Sequence, residues 1–434
     1  MEKFADWLAV MAGKKRVRAA AIVAGIAILA MFSFRCIRHG MHITDSYIFY
    51  NAGKAIVEGG NLYGPQEWRA FFNPPFFAVF MAPFSFLSLA GFCVVWYFFN
   101  LGLLVGSFLL SIYLVRERLR GIHVLMWLLP LVIALRPIAS NMTLGQSNLV
   151  VLFFTLAGLA LYKKGLPLVG GIVLAVAVSA KVTPALFIPF FLYKKQWRMA
   201  TGIVLGCFLF SVALPVLLMG YSKALHDLAH WWNVTRPMAV AMGPKATGAY
   251  VPGQTLRTFL MRLLTPSSIE AGANPTYINV LNLAPETVEL LSRGISGLML
   301  ALMAWNFRSS PVSAQTTAPI EFALVLLTMT MISPYSRKAH YVSMIFPSIV
   351  MVHHLLEGRL DNGSKKLLKA AIIAALILGT GAAPEICGRT LSNLLSGIGT
   401  IFITAMIMWS VLNVLLFKER TTLRKEEVEN GNIC

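Results

Sequence analysis

Residues 91–120 read GFCVVWYFFNLGLLVGSFLLSIYLVRERLR, and this stretch decides the class of fold. From Gly91 to Val115 it contains no charged side chain. About 20 apolar residues in a helix are long enough to cross a lipid bilayer. Four of the next five residues, Arg116 to Arg120, are charged, and three of them are basic. Because basic residues beside an apolar span mark its cytoplasmic end, the pattern predicts a transmembrane helix that ends at the cytoplasm.

The whole chain has the same character. Of its 434 residues, 57% are hydrophobic and only 13% are charged, whereas soluble domains carry about 25% charged residues. The mean hydropathy is +0.70. Further apolar runs begin near residues 19, 122, 147, 166, 184, 199, 287, 318, 340, 367 and 395. The composition therefore predicts an all-α polytopic membrane protein, a single membrane-embedded domain over residues 1–434.

The net charge of +19 does not indicate nucleic-acid binding. The basic residues form short runs between apolar spans, which is how membrane proteins encode their orientation. A nucleic-acid-binding protein would carry a basic face interleaved with stacking aromatics. The charge instead orients the chain in a membrane.

The positive-inside rule favours one topology. Residues 75–89 have prolines near both ends of the apolar run and little room to span, so we expect them to lie at the interface. Two short crossing segments, 166–181 and 184–194, break at Thr183-Pro184. The layout has about twelve spans and both termini in the cytoplasm. Its first outer segment, 36–90, carries interfacial helices, a second long outer segment covers 220–286, and 418–434 form a cytoplasmic tail.

Asp45 begins the first polar motif. Apolar residues follow it at helical spacing (Ile48, Ala52, Ala55, Ile56), which predicts an amphipathic helix on the membrane surface. A carboxylate just beyond a membrane helix has lost part of its water, so it favours a functional role. The alternative is that Asp45 is only the N-cap of this helix, where Asp is common.

Two further motifs lie between apolar runs. Arg136-Pro137 precedes a cluster of amides that ends at Gln146-Ser147-Asn148; amides suit sugar hydroxyls, although a capped loop would look the same. Lys181 stands between two apolar segments, where a lysine is costly unless an anion or water is near. A phosphate is the natural partner of Lys181, and snorkelling to the interface is the alternative.

The last motifs are cationic. In residues 333–341, SPYSRKAHY, Arg337, Lys338 and His340 converge between two spans, and guanidinium and ammonium groups are the usual partners of phosphate. Because the layout places this basic cluster on the outer side, an orientation signal does not explain it. In residues 252–257, PGQTLR, Arg257 could reach an anion.

Together these stretches resemble glycosyltransferase family 87, a group of GT-C enzymes that use polyprenyl-phosphate sugars. The resemblance extends over about residues 20–350. The chain differs from the family's pattern at Asn73 and at Arg337-Lys338-Ala339. The motifs that carry it are Asp45, Gly59-Gly60-Asn61-Leu62-Tyr63, Asn73-Pro74-Pro75-Phe76, Trp96 with Asn100, Gly145-Gln146-Ser147-Asn148, Lys181-Val182-Thr183-Pro184, Gly253-Gln254-Thr255-Leu256 with Arg262, and Ser333-Pro334 before His340.

The resemblance implies a GT-C fold, with Asp45 as the catalytic base and His340 across the same cavity. It implies a donor phosphate held by basic residues, which we expect to be Arg337, Lys338, Lys181 and Arg136. We expect the remaining polar residues to bind the acceptor or the sugar: Tyr47, Asn61, Tyr63, Gln146, Asn148, Gln254 and Arg257. Of the other outer carboxylates, only Glu286 and Glu289 lie close to a span end beside other polar motifs, and they fit the first turn of a helix, where acids favour the dipole. The carboxylates set aside because they lack such a position are Glu58, Glu67, Asp227, Glu270 and Glu385.

The predicted reaction is inverting transfer of a sugar from a polyprenyl phosphate to a hydroxyl of a lipid- or glycan-linked acceptor, on the outer face of a bacterial inner membrane. No cofactor or metal is expected. Mannose or another hexose is favoured, and arabinose is also used in the family. The competing function is a transporter or lipid flippase with Asp45, Lys181 and His340 on its substrate path.

Overall fold

The computed structural model describes residues 15–42, 44–63, 71–116, 121–241, 253–269, 275–308, 317–358 and 360–429. These residues are helical, and their only β pairing is two isolated bridges. The first ten α-helices are α1 Lys15–Gly40, α2 Asp45–Val57, α3 Pro75–Met81, α4 Leu89–Val115, α5 Leu125–Ile133, α6 Leu135–Leu144, α7 Asn148–Lys163, α8 Pro167–Ala180, α9 Phe187–Tyr193 and α10 Trp197–Phe208. The next ten are α11 Leu214–Met219, α12 Tyr221–Ala241, α13 Leu256–Leu264, α14 Pro285–Phe307, α15 Ala318–Met331, α16 Ile345–Glu357, α17 Asn362–Ala375, α18 Pro384–Cys387, α19 Arg389–Ile398 and α20 Thr400–Glu429.

Prolines and short polar side chains set many of the helix starts. Helices α3, α8, α14 and α15 carry proline in the first turn, where the missing N–H costs nothing. Ser88 caps α4 by accepting a hydrogen bond from Gly91 N–H at 3.2 Å, and Asp361 caps α17 in the same way. The local sequence therefore fixes where these helices begin.

Among the described residues, five helical stretches are long and apolar enough to cross a membrane: Leu89–Val115, Trp197–Met219, Pro285–Phe307, Lys338–Glu357 and Thr400–Thr421. The pair α5–α6, bent by 62°, makes a sixth if it is one broken span. Several shorter apolar helices surround them, which identifies an integral polytopic membrane protein. The count of twelve spans stays a prediction.

Small residues let helices α7, α8 and α10 approach one another closely. A Cβ on Gly158 of α7 would lie 2.6 Å from the Gly170 carbonyl of α8. On the other side of α8, a Cβ on Gly171 would lie 2.4 Å from the Met199 carbonyl of α10. Contacts of this kind between backbones hold membrane helices together, because lipid supplies no hydrophobic drive between them. These glycines therefore set the close packing of α7, α8 and α10.

Buried polar pairs join the helices at another point. Lys194, just after α9, donates to Glu321 of α15 at 2.8 Å and to the Phe307 carbonyl of α14 at 2.7 Å. The Glu321 side chain is fully buried. Charges at such a depth are retained only when they are paired, so this contact fixes α9, α14 and α15 relative to one another.

Three sequence expectations concern the segments between spans. Residues 75–86 form α3 and a short 3₁₀ turn, which are shorter than a membrane span. The second long segment contains helices α12 and α13, with residues 242–252 and 270–274 outside the described part. The polar tail continues α20 as helix to Glu429, and residues 430–434 lie outside the description.

Candidate functional site

Asp45 lies in the first turn of α2, and Thr44 occupies the N-cap position. The alternative that Asp45 is only a cap is therefore not what the structure has. One face of α2 is buried through Ile48, Phe49 and Ala52, as its apolar spacing requires. That face packs on α3 and the 3₁₀ turn after it, where Gly53 lies so close to the Met81 carbonyl that a Cβ would be 2.7 Å away. The short helices thus hold Asp45 in place.

A tight turn brings the amide motif to Asp45. Gly145 ends α6 with a φ of +64°, a conformation that favours glycine. A Cβ at this position would lie 1.7 Å from the Ser46 hydroxyl oxygen. On the other side, the Trp96 indole N–H donates to the Gly145 carbonyl at 2.8 Å. Both the backbone angle and the close approach explain why this motif begins with glycine.

Hydrogen bonds connect the amides to the carboxylate in one direction. Gln146 Nε2 donates to Asp45 Oδ2 at 2.5 Å. Asn148 Nδ2 donates to Gln146 Oε1 at 3.4 Å and to Asn141 Oδ1 at 3.2 Å. All three amides are at least nine-tenths buried. Asn148 thus donates to Gln146, and Gln146 donates to Asp45, so both hydrogen bonds point toward the carboxylate.

Lys181 extends this network to the cationic motif. It lies at the break after α8, and its Nζ is 2.8 Å from Asn148 Oδ1 and 2.6 Å from His340 Nε2. The backbone N–H of Arg337 donates to His340 Nδ1 at 3.2 Å. The guanidinium of Arg337 lies 4.9 Å above the Tyr335 ring. Asp45, Lys181 and His340, which the sequence places far apart, therefore belong to one connected network.

The motif around Gln254 joins the same region through its backbone. Gly253 pairs with Arg337 in an isolated bridge, and Gln254 N–H donates to the Ser336 carbonyl at 2.7 Å. The Tyr341 hydroxyl donates to the Gln254 carbonyl at 2.5 Å. These bonds hold the segment that carries Arg337 and His340.

A small cavity lies where the network meets α15. Its polar lining comes from four parts of the chain: Asn148, Lys181, Thr183, Thr330, Ser336, His340 and Ser343. The other lining residues are apolar: Val151, Leu152, Met329 and Val342. Thr330, Ser336 and Ser343 were not expected from the sequence, where serines and threonines near a span carry no specific signal.

Several expected site residues have other partners. Arg136 is buried and donates to the Gly379 carbonyl at 3.1 Å and to Ser396 Oγ at 2.9 Å, so it joins α6 to α19. Lys338 lies within electrostatic reach of Arg136 and Glu385. The contacts given for Arg136 and Lys338 are therefore with residues other than Lys181, and the assignment of both to the donor phosphate stays a prediction.

The expected acceptor residues divide in a similar way. Arg257 forms an ion pair with Glu289, which also pairs with Arg293 at 3.0 Å. Glu286 lies in the first turn of α14, as the sequence indicates, whereas Glu289 lies beyond it. Gln254 Nε2 donates to the Ser396 carbonyl at 2.7 Å. Tyr63 is buried and donates to the Asn73 carbonyl at 2.7 Å.

Two expected residues lie on the outside of this framework. Asn61 is exposed, and Tyr47 is partly exposed, with its carbonyl accepting from Asn51 Nδ2 at 2.8 Å. Their roles stay predictions.

Asp227 of α12 is a buried carboxylate that the sequence does not single out, because no polar motif adjoins it in the chain. The structure places it close to Tyr63, and its partner Lys223, 3.6 Å away, also donates to the Gly60 carbonyl at 2.7 Å. Burial raises the pKa of Asp227, and the Lys223 charge opposes this effect. Lys223 and Asp227 are four residues apart on a helix, which is the signal that could have identified them.

The fold and this network define a polytopic membrane protein in which Lys181 and His340 line a polar cavity, and two amides connect that cavity to the Asp45 carboxylate. The chain belongs to glycosyltransferase family 87, whose sequence pattern matches residues 71–334. This match confirms the resemblance inferred from the motifs, and the protein is therefore a glycosyltransferase.

Relatives with known activities point the same way. The chain is 25% identical over 376 residues (81% of this chain and 79% of the relative) to a polyprenol-phosphate-mannose-dependent alpha-(1-2)-phosphatidylinositol mannoside mannosyltransferase of Mycobacterium tuberculosis. It is 24% identical over 384 residues (86% and 82%) to a polyprenol-phosphate-mannose-dependent alpha-(1-2)-phosphatidylinositol pentamannoside mannosyltransferase of Mycolicibacterium smegmatis. No solved structure matches the chain.

Proposed function

We propose that this protein transfers a hexose, with mannose favoured, from a polyprenyl-phosphate donor to a hydroxyl group of a membrane glycolipid. The observation that carries the proposal is the connected network from Asp45 to Lys181 and His340. It connects a candidate base, through two amides, to candidate phosphate ligands that line one cavity. The names of the relatives support the choice of donor and of a lipid acceptor.

In this mechanism Asp45 takes the proton of the acceptor hydroxyl while that oxygen attacks the anomeric carbon. The bond from that carbon to the phosphate oxygen breaks, and the polyprenyl phosphate leaves with the bonding electrons and an added negative charge. Lys181 and Arg337 stabilise this charge, because ionic hydrogen bonds are strongest where charge develops. Attack and departure occur on opposite faces of the sugar, so the configuration inverts.

Asp45 suits the role of base because Gln146 fixes its orientation. The hydrogen bond from Gln146 Nε2 to Asp45 Oδ2 restricts rotation of the carboxylate, and an oriented base contributes about 10²–10⁴-fold in rate. We place the reaction on the outer face of a bacterial inner membrane, with both termini in the cytoplasm.

The test is a reconstitution of the purified full chain in lipid nanodiscs. Polyprenyl-phosphate mannose and a phosphatidylinositol mannoside acceptor are added, and both polyprenyl phosphate and glycosylated lipid are quantified by mass spectrometry. We expect the two products in equal amounts, with inverted anomeric configuration. In sealed proteoliposomes of the same protein, movement of the intact donor across the membrane without bond cleavage would replace the proposal by a flippase. Retained configuration in the transfer product would remove the direct role of Asp45.

A further inference from the structure

The ring of His340 has a fixed hydrogen-bonding direction. Its Nδ1 accepts a hydrogen bond from the Arg337 backbone N–H at 3.2 Å, so Nδ1 carries a lone pair and no proton. A neutral imidazole has one N–H group, which must then be at Nε2. A backbone N–H cannot change its role, so the tautomer is set by the fold.

This tautomer decides the state of Lys181. The two nitrogens, His340 Nε2 and Lys181 Nζ, are 2.6 Å apart, so one hydrogen must lie between them. Because Nε2 carries that hydrogen, Nζ must accept it. An ammonium group has three donors and no lone pair, so only a neutral amine can accept. The amine still donates one of its own hydrogens to Asn148 Oδ1 at 2.8 Å.

The surroundings of Lys181 are compatible with either charge state. The charged groups that face it are Asp45 from α2, which favours the ammonium form, and Arg337 from the segment before α16, which opposes it. His340 is the remaining titratable neighbour, while α7 and α15 contribute the neutral side chains of Asn148 and Thr330. An anion in the cavity would therefore decide the balance.

We infer that Lys181 is a neutral amine while no phosphate is bound and takes up one proton from solvent when the donor phosphate enters the cavity. Once protonated, Lys181 can no longer accept from His340, so it turns from the histidine to the phosphate oxygens. The ammonium is then in place before the phosphate gains charge in the transfer step. This inference rests on the proposed function, because it takes a polyprenyl phosphate as the ligand.

Proton uptake can be counted by isothermal titration calorimetry. The full chain in detergent is titrated with farnesyl phosphate at about pH 8, where the second phosphate group ionisation, with a pKa near 6, is complete. Titrations in two buffers of different ionisation enthalpy give the number of protons bound. We expect close to one proton per ligand and an affinity that falls about tenfold per pH unit up to about pH 10. An ordinary lysine, with a pKa of about 10.4, would give no uptake and a flat affinity.

Two variants assign the proton. Lys181→Arg has a permanent charge and Lys181→Gln has none, so both should bind without proton uptake, whereas the exposed-site control Lys54→Gln should keep it. Uptake that persists in Lys181→Arg, or wild-type binding without uptake, would overturn the inference alone. Absence of both farnesyl phosphate binding and sugar transfer would overturn the proposed function itself.

Discussion

Replacing Asp45 by Asn is the most direct test of the mechanism. The amide has nearly the shape of the carboxylate and can present its carbonyl oxygen to Gln146 Nε2, which now donates at 2.5 Å. The packing of α2 is then unchanged, and the loss is confined to the ability to accept a proton. A general base contributes about 10²–10⁴-fold, which corresponds to about 3–5 kcal/mol of activation free energy. We expect kcat to fall by that factor and KM for the donor to change little.

The assay is the nanodisc transfer reaction, with kcat and KM measured for donor and acceptor separately. Glu58→Gln is the matched control, because Glu58 is exposed at the C-cap position of the same helix and its carboxylate pairs only with Lys54 among the contacts described. Thermal unfolding of both variants should match the wild type. An Asp45→Asn enzyme that keeps kcat within tenfold of the wild type would refute the assignment of the base.

Two further predictions concern the framework of the site. Gly145→Ala should lower the unfolding free energy by about 1–2 kcal/mol and reduce kcat, because the left-handed backbone of Gly145 and the nearby Ser46 hydroxyl exclude a Cβ. The control is Gly102→Ala, at a helical position with open space, which should be neutral or slightly stabilising; equal effects of the two variants in chemical unfolding would contradict the argument. Lys194→Met should lower the unfolding free energy by about 3–5 kcal/mol because it leaves the Glu321 carboxylate buried without its cation, and the double variant Lys194→Met/Glu321→Leu should recover most of this stability. If chemical unfolding shows Lys194→Met to be as stable as the wild type, the pair does not hold these helices together.

Much of the site was predictable because its motifs are local. Asp45 is in the first turn of a helix with the expected apolar face, and the 75–86 segment is too short to span. Lys181 lies at a break between apolar helices, as the Thr183-Pro184 dipeptide indicates. Each of these features depends on a few adjacent residues, whose side-chain size and charge act within one or two helical turns.

The partners of individual polar groups were less predictable. Arg257 was expected to reach a substrate anion, yet its guanidinium pairs with Glu289, and Arg136 joins two helices instead of facing Lys181. Asp227 was set aside, although it lies beside the Tyr63 motif. A long cationic side chain has many possible partners within its reach, and the sequence contains no information on which helix end will be nearest.

The sequence by itself determined that the chain is a helical membrane protein of glycosyltransferase family 87, because hydropathy and the order of motifs are properties of the linear chain. Only the tertiary structure decided that Lys181 meets His340, 159 residues further along, at 2.6 Å, and that the amides between Lys181 and Asp45 all donate toward the carboxylate. The reason is geometric. Hydrogen bonds need atoms within about 3 Å, and helix packing alone sets distances at that scale between segments so far apart in the chain.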